Sequence, residues 1–289
     1  MTPTAEKTAF VFAGGGSLGA IQVGMLRALL FSGLHPDFVV GASVGALNAG
    51  YFASAPNAEG VASLERIWSG LRRADIFPFS LASAFGLLRH PDNIVDPGRL
   101  RSLIETYLPY ARLEDAAIPL HIMATDQQGL GVCLSSGPAV EAILASAAIP
   151  GVFPPVYIDG RALMDGAVAA STPIRLAAEL GASRIIVLPT GYACALKEPP
   201  KGAVAKALHA ITLMITWQLR HGLELAIGAG GLDVALAMAG EPAPRRGIVR
   251  DADEHKDDCN LTRGAIFESI PAKWQHASSA CGAFMAWPL

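Results

Sequence analysis

Between Ala9 and Phe52 the chain runs twice through one pattern: a short apolar stretch halted by glycine, then an apolar stretch of helical period. Residues 9–13 (AFVFA) form a continuous apolar run of buried-strand type, stopped by Gly14, Gly15 and Gly16. Residues 18–31 then set Ile21, Met25, Leu26 and Leu29 at helical spacing before Gly33. Residues 38–40 and 44–52 repeat the pair. Strands apolar at every position must be covered on both faces, and parallel neighbours need a helical crossover. This feature therefore constrains the chain to an α/β fold, a mainly parallel sheet with helices on its faces.

The remaining segments are read in the same way. Residues 59–107 have helical patterning broken by Pro78, Pro91 and Pro97, and are expected to form a cap over the sheet edge. Residues 120–124 and 132–134 read as strands and 138–147 as a helix. Residues 156–158 and 161–164 flank Asp159-Gly160, a strong hairpin signal. A helix over 174–180 closes at Gly181, and 184–188 (RIIVL) is another buried strand. After a Lys- and Pro-containing linker at 197–201 comes a helical run over 204–227, which Lys206, Arg220 and Glu224 keep out of a bilayer core. Periodicity fades beyond Gly240, and no internal repeat is visible. The expectation is one domain over 1–289, with its motifs within about 8–190 and a helical C-terminal extension over 203–289 that ends in an irregular tail.

Composition narrows the function classes. A net charge of −3 without a long basic run argues against nucleic acid as a partner. Cys133, Cys194, Cys259 and Cys281 are far apart and form no CxxC pair, so neither a zinc site nor a disulfide framework is expected. No metal or cofactor is implied by the spacing of His, Asp and Cys. Two uncharged windows, 8–26 and 38–58, have about the 20-residue length of a membrane span. The three glycines at 14–16 interrupt the first, and Ser43, Asn48, Ser54, Pro56 and Asn57 the second, so both read as a buried strand entering a buried helix. A cleaved signal peptide fits poorly: Glu6 precedes Lys7, and no small-x-small cleavage site follows the apolar run. The expectation is a cytoplasmic protein able to make peripheral contact with a membrane.

Three loops carry chemistry. Gly41-Ala42-Ser43-Val44-Gly45 matches G-x-S-x-G between a strand and a helix, the context in which a tight turn projects a nucleophilic hydroxyl. The plainer alternative is a serine helix cap with glycine flanks. Residues 14–19 (GGGSLG) match the dinucleotide pattern G-x-G-x-x-G, which also wants an acidic residue ending the second strand. Asp37 has the spacing but precedes that strand, and Ser43 follows it. Bare N–H groups at Gly14, Gly15 and Gly16 suit stabilisation of an oxyanion better. A serine nucleophile also needs a base within hydrogen-bond reach. Asp165, in Asp165-Gly166-Ala167, and Asp159 are the candidates; the hairpin reading leaves Asp159 at the turn and returns Asp165 to the other end of the strand. The plainer reading of Asp165, which carries the smaller weight, is a turn residue.

Together, GGGSLG at 14–19, GASVG at 41–45 and DGA at 165–167, with the run ASAAIPGVFPPVYIDGRALMDGA at 145–167, resemble the patatin-like phospholipase family over roughly residues 8–190. The resemblance implies a three-layer α/β/α fold and a Ser-Asp dyad without histidine that hydrolyses carboxylic esters of lipids through an acyl-enzyme. By motif position Ser43 is the nucleophile, Asp165 the base, and Gly14, Gly15 and Gly16 the oxyanion loop. Gly19, Gly41, Gly45 and Gly166 support these motifs. The chain departs from the family at Leu18, where many members carry arginine, and at Ala170-Ser171-Thr172, where an asparagine is common.

Other readings of the same residues stay open at this level. A Ser-Asp-His hydrolase would use His209 or His221, both on the predicted C-terminal helix. A non-catalytic nucleotide or acyl binder would use only the glycine loop. An acyltransferase would share the nucleophile. The apolar segment 76–88 (IFPFSLASAFGLL), flanked by Arg72, Arg73 and His90, is either a core helix or a surface for lipid chains, with Phe79 and Phe85 in contact.

Overall fold

The apolar runs fold as their periods predict. The computed structural model describes residues 6–71, 95–190, 202–228, 232–237 and 245–246. Strand β1 (Thr8–Phe12) passes through a 3-10 turn (Gly16–Gly19) into α1 (Ala20–Phe31). Strand β2 (Phe38–Ala42) leads into α2 (Val44–Ser54). Next come α3 (Ala58–Gly70), α4 (Gly98–Tyr107), β3 (Leu120–Asp126), β4 (Gly131–Leu134) and α5 (Ala139–Ser146). The hairpin β5 (Val156–Ile158) and β6 (Arg161–Asp165) precedes the short helices α6 (Ala167–Ala170) and α7 (Ile174–Glu179). Strand β7 (Arg184–Leu188), helix α8 (Ala203–Gly228) and strands β8 (Asp233–Leu236) and β9 (Arg245–Arg246) follow.

Among the described residues nine strands form one sheet, with the main path β5-β6-β3-β2-β1-β7-β8-β9 and β4 paired to β3. Its centre, β3-β2-β1-β7-β8, is parallel throughout, and the edges are antiparallel. Alternate residues of each central strand serve opposite layers. Phe10, Phe12, Val39, Ile122, Ile186 and Leu188 pack toward α1, α2, α3 and α5. Ala9, Val11, Phe38, Val40, Ile185 and Val187 pack toward α7 and α8, where they meet Ile174, Ala177, Leu219 and Leu223. That is why the strands carry no polar alternation, and it produces the three α/β/α layers. Phe52 anchors α2 to β1 between Phe10 and Phe12, with ring centroids 6.5 and 6.1 Å away.

One pairing detail positions the site. Ile122 and Met123 of β3 pair with both β2 and β4, while Ala124 and Thr125 pair with both β4 and β6. A strand has two edges, so β2 and β6 must share one edge of β3 and meet end to end. The last rung of β2 is Ala42 with Met123, and the last of β6 is Asp165 with Ala124. Ser43 and Asp165 lie at that junction.

Two expectations differ from the structure. The described parts of 59–107 do not cap the sheet edge: α3 lies against α1 and α2 with Val61, Leu64 and Trp68 buried, and α4 packs on α5. Amphipathic helices of this length bury their stripe in the nearest layer. The extension expected to be helical over 203–289 is helical over Ala203–Gly228, after which β8 joins the parallel sheet beside β7, because its apolar Val234, Ala235 and Leu236 bury against the layers there. Segment 76–88, with Phe79 and Phe85, lies outside the described residues. Among the described residues no helix is long and apolar enough to cross a membrane, and the two uncharged windows are strand-helix pairs.

Candidate active site

Ser43 occupies a backbone conformation that few side chains adopt, with φ 55° and ψ −127°. Such a turn persists only where its surroundings over-determine it. The Ser43 N–H donates to Ser146 Oγ at 2.9 Å, and Ser146 Oγ donates to the Met123 carbonyl at 2.6 Å, which ties the turn to α5 and β3. The Ser43 carbonyl accepts from the Ala46 N–H at 2.9 Å as α2 begins. The flanking glycines are steric requirements. A Cβ on Gly41 would lie 2.5 Å from the Gly45 carbonyl oxygen, and one on Gly45 would lie 2.2 Å from the Phe12 carbonyl oxygen. Both obstacles are backbone, which cannot swing away as a side chain can. Gly45→Ala is therefore expected to destabilise the fold by ~3 kcal/mol or more, the upper range for overpacking, as measured by urea unfolding. An unchanged midpoint would contradict this packing.

Asp165 is 3% exposed, and its two carboxylate oxygens have separate partners. Oδ2 accepts from Ser43 Oγ at 2.7 Å, and Oδ1 accepts from the Ala167 N–H at 2.8 Å. Thr125 Oγ1 donates to the Asp165 carbonyl at 2.8 Å and accepts from the Ala169 N–H at 3.1 Å, fixing the strand end and the helix after it. A Cβ on Gly166 would lie 2.1 Å from the Met123 carbonyl oxygen, so β3 and this loop touch through bare backbone. Burial pushes the Asp165 carboxyl up from 3.8 to about 6, opposed by the Ala167 N–H and the Ser43 hydroxyl. A carboxyl ionising there is a proton acceptor at neutral pH and a better base than an ordinary aspartate.

The glycine loop lies against this pair. A Cβ on Gly14 would sit 3.2 Å from Ser43 Cβ, so only a bare α-carbon leaves the present spacing undisturbed. The expectation that all three glycines offer free N–H groups is corrected at Gly14. Its N–H donates to the Ser171 carbonyl at 2.8 Å, and an amide has one proton to give. The Gly14 carbonyl accepts from Thr190 Oγ1 at 2.5 Å. The N–H groups of Gly15 and Gly16 have no backbone acceptor among the described residues. Gly15 adopts φ 157°, and a Cβ there would strike Thr190 Oγ1 at 2.1 Å.

The remaining candidates fall elsewhere. Asp159 is at the tip of the β5–β6 hairpin with φ 49°, followed by Gly160 at φ 74°, a turn pair of left-handed residues. Asp37 marks the opposite end of the sheet: its N–H donates to the Thr8 carbonyl and its Oδ2 accepts from the Thr8 N–H, both at 2.7 Å. The residue that follows β2 is Ser43, and Asp37 lies at the other end of that strand from the glycine loop. His221 stacks on Trp217 on the exposed face of α8, with ring centroids 4.9 Å apart. The direct Ser43–Asp165 bond leaves no place for an imidazole between them. The side chain of His209 is outside the described set. Among the described residues no group of three His, Cys, Asp or Glu could hold a metal. Within Ala170-Ser171-Thr172, where the family often has asparagine, the Ser171 hydroxyl is buried with no hydrogen-bond partner among the described residues. Sequence reasoning overlooked Ser146, Thr125 and Thr190; their one signal is a hydroxyl inside an apolar stretch.

Comparison with known proteins places the chain. A family model described as patatin-like phospholipase matches residues 10–178. Patatin-like phospholipase domain-containing protein 7 of Rattus norvegicus is 29% identical over 196 residues, covering 65% of this chain and 14% of that protein. An uncharacterized NTE family protein of Mycobacterium tuberculosis is 31% identical over 188 residues, covering 64% of this chain and 49% of that one. Among solved structures, VipD from Legionella pneumophila aligns with a TM-score of 0.42 at 13% identity, covering 98% of this chain and 75% of that chain. The matched stretch spans less than half the length of either relative compared by sequence.

Proposed function

The chain belongs to the patatin-like phospholipase family, and on that premise we propose that it hydrolyses carboxylic ester bonds of lipids through an acyl-enzyme on Ser43. The observation that carries this reading is the 2.7 Å hydrogen bond from Ser43 Oγ to the buried Asp165 carboxylate, at the end-to-end junction of β2 and β6 and beside the glycine loop. Ser43 Oγ attacks the ester carbonyl carbon while its proton passes to Asp165 Oδ2. The carbonyl oxygen becomes an oxyanion, stabilised by the N–H groups of Gly15 and Gly16; a donor of this kind contributes ~3 kcal/mol. The oxyanion collapses, the carbon–oxygen bond to the alcohol breaks, and Asp165 returns the proton to the leaving oxygen. Water then attacks the acyl-enzyme with Asp165 again as base, which releases the carboxylic acid and restores the Ser43 hydroxyl. The names of the relatives support a lipid ester as substrate. A series of esters graded in chain length, with and without a phospholipid head group, tests the proposal; no turnover of any member, by protein that unfolds cooperatively, overturns it.

Peripheral contact with a lipid surface is supported by one exposed patch. Leu213, Met214 and Trp217 project from α8 at 48%, 62% and 62% exposure. Gln218 on the same helix accepts from the Ser171 N–H at 2.9 Å and donates to the Val168 carbonyl at 3.3 Å, so the patch is tied to the loop that follows Asp165. Val168 is itself 47% exposed. Full burial of a side chain of this size is worth ~1.5–3 kcal/mol. Replacing Leu213 and Trp217 together by serine is expected to lower turnover of vesicle lipid about tenfold or more and leave a short soluble ester unaffected. Equal loss on both substrates would remove the patch from this role.

A further inference from the structure

Five hydrogen bonds join Gln22 of α1, Asn48 of α2 and Trp68 of α3 into a polar cluster within an apolar layer. Gln22 is 0% and Asn48 1% exposed. Gln22 Nε2 donates to the Ala13 carbonyl at 2.9 Å and the Leu188 carbonyl at 2.8 Å. Asn48 Nδ2 donates to Gln22 Oε1 at 2.7 Å and to the Gly19 carbonyl at 2.8 Å, and Asn48 Oδ1 accepts from Trp68 Nε1 at 2.8 Å. Both protons and the oxygen of each amide are used. A saturated network of this kind is close to neutral for stability, since apolar residues could fill the same space, but it holds its partners at fixed distances.

The partners themselves indicate what the cluster does. Ala13 and Gly19 are the residues on either side of 14–18, so their carbonyls mark both ends of the glycine loop. Leu188 ends β7, two residues before Thr190, which holds the loop at the Gly14 carbonyl. Asn48 rides on the helix that Ser43 begins. A Cβ on Gly19 would lie 2.4 Å from Val44 Cγ2 and 3.0 Å from Trp68 Cζ2, so loop end, elbow and cluster are in direct contact. The cluster therefore grips the loop at both ends and ties it to the element that carries the nucleophile.

We infer that Gln22 and Asn48 are positioning residues that set the distance between the N–H groups of the glycine loop and the oxygen of Ser43. Neither side chain reaches substrate; they act through the loop backbone. The inference rests on the proposed roles of Ser43 and the loop. It predicts a defect confined to the tetrahedral state, because the N–H groups serve the oxyanion more than the planar ester.

The test uses the full chain and a short soluble ester, with active sites counted by stoichiometric fluorophosphonate labelling so that unfolded protein is not scored. Gln22→Met keeps the side-chain length and removes its polar atoms. Its kcat per labelled site is expected to fall ~10–100-fold, less than the ~10²–10³-fold for outright loss of an oxyanion donor because the N–H groups are displaced and not removed, with KM within about twofold. The inhibition constant of a trifluoromethyl ketone, which adds Ser43 Oγ to its carbonyl and leaves an oxyanion, should weaken by the same factor. Trp68→Phe leaves Asn48 Oδ1 without its donor and should shift kcat and inhibitor affinity together by a smaller factor. An unchanged kcat per labelled site, or a fall in kcat without the matching loss of inhibitor affinity, overturns the inference. If Gln22→Met does not fold, Trp68→Phe is judged by the same two criteria. Wild-type protein that is not labelled at Ser43 would overturn the reading beneath it, and that failure is visible before any variant is made.

Discussion

Ser43→Ala is expected to reduce ester hydrolysis to background, a fall on the order of 10⁶-fold in kcat if Ser43 acts as nucleophiles of this kind do. The substitution removes one atom and little else. Alanine has the same α- and β-carbons as serine, so it meets the φ 55° turn with no greater strain, and the Ser43 N–H keeps its bond to Ser146. What is lost is the Oγ that donates to Asp165 Oδ2 at 2.7 Å. Above about pH 6 that leaves a buried carboxylate with the Ala167 N–H as its remaining partner at the site. A stability loss of roughly 1–3 kcal/mol follows for a buried acceptor left unpaired, and it should shrink at pH 5, where the carboxyl is protonated. Fluorophosphonate labelling, followed by mass spectrometry of the modified peptide, is the direct check. A label that persists on another serine would falsify the nucleophile.

Asp165→Asn should separate activity from stability. Asparagine can keep both contacts, accepting from the Ala167 N–H and donating to Ser43 Oγ, but it cannot take a proton. Turnover is expected to fall ~10²–10⁴-fold, the usual contribution of a positioned base. Stability should move the other way. The folded carboxyl ionises at about 6 against 3.8 for an unhindered one, so the native state binds more protons than the unfolded chain between those values. The stabilising contribution of the protonated form is fully present below about pH 4 and lost as pH rises through about 6. Above that, the ionised Asp165 costs the wild type up to about 3 kcal/mol, and the asparagine variant escapes the cost. Its Tm should exceed the wild type's at pH 8, with the gap closing toward pH 4. In the wild type, kcat/KM should decline with acid through about pH 6. Asp159→Asn is the matched comparison: asparagine is at home before glycine in this turn, and activity should be unaltered. Loss of activity at 159 and retention at 165 would reverse the assignment of the base.

The sequence alone determined what depends on near neighbours. Unbroken apolar runs closed by glycine specify buried strands, and the 3.6-residue spacing after them specifies helices, because both follow from burying side chains along a few residues of chain. The bend at Ser43 was legible because Gly41 and Gly45 are too small to be there for packing, and Asp159-Gly160 because only a narrow set of residues accepts two successive left-handed conformations. Motif order and the family resemblance nominated Ser43, Asp165 and the glycine loop. Contacts between distant segments were decided by tertiary structure. Ser43 and Asp165 are 122 residues apart, and they touch because β6 enters antiparallel along the same edge of β3 that β2 vacates, an outcome set by strand-edge pairing and invisible to local periodicity. The same holds for the Gly14 N–H, which the glycine motif offered to an oxyanion and which the fold gives to the Ser171 carbonyl. It holds for Gln22 and Asn48 too, whose amides look misplaced in apolar helices until the carbonyls of Ala13, Gly19 and Leu188 are brought to them. Steric limits on the backbone act within a few residues, whereas the partner of a buried polar group is chosen only when the layers close.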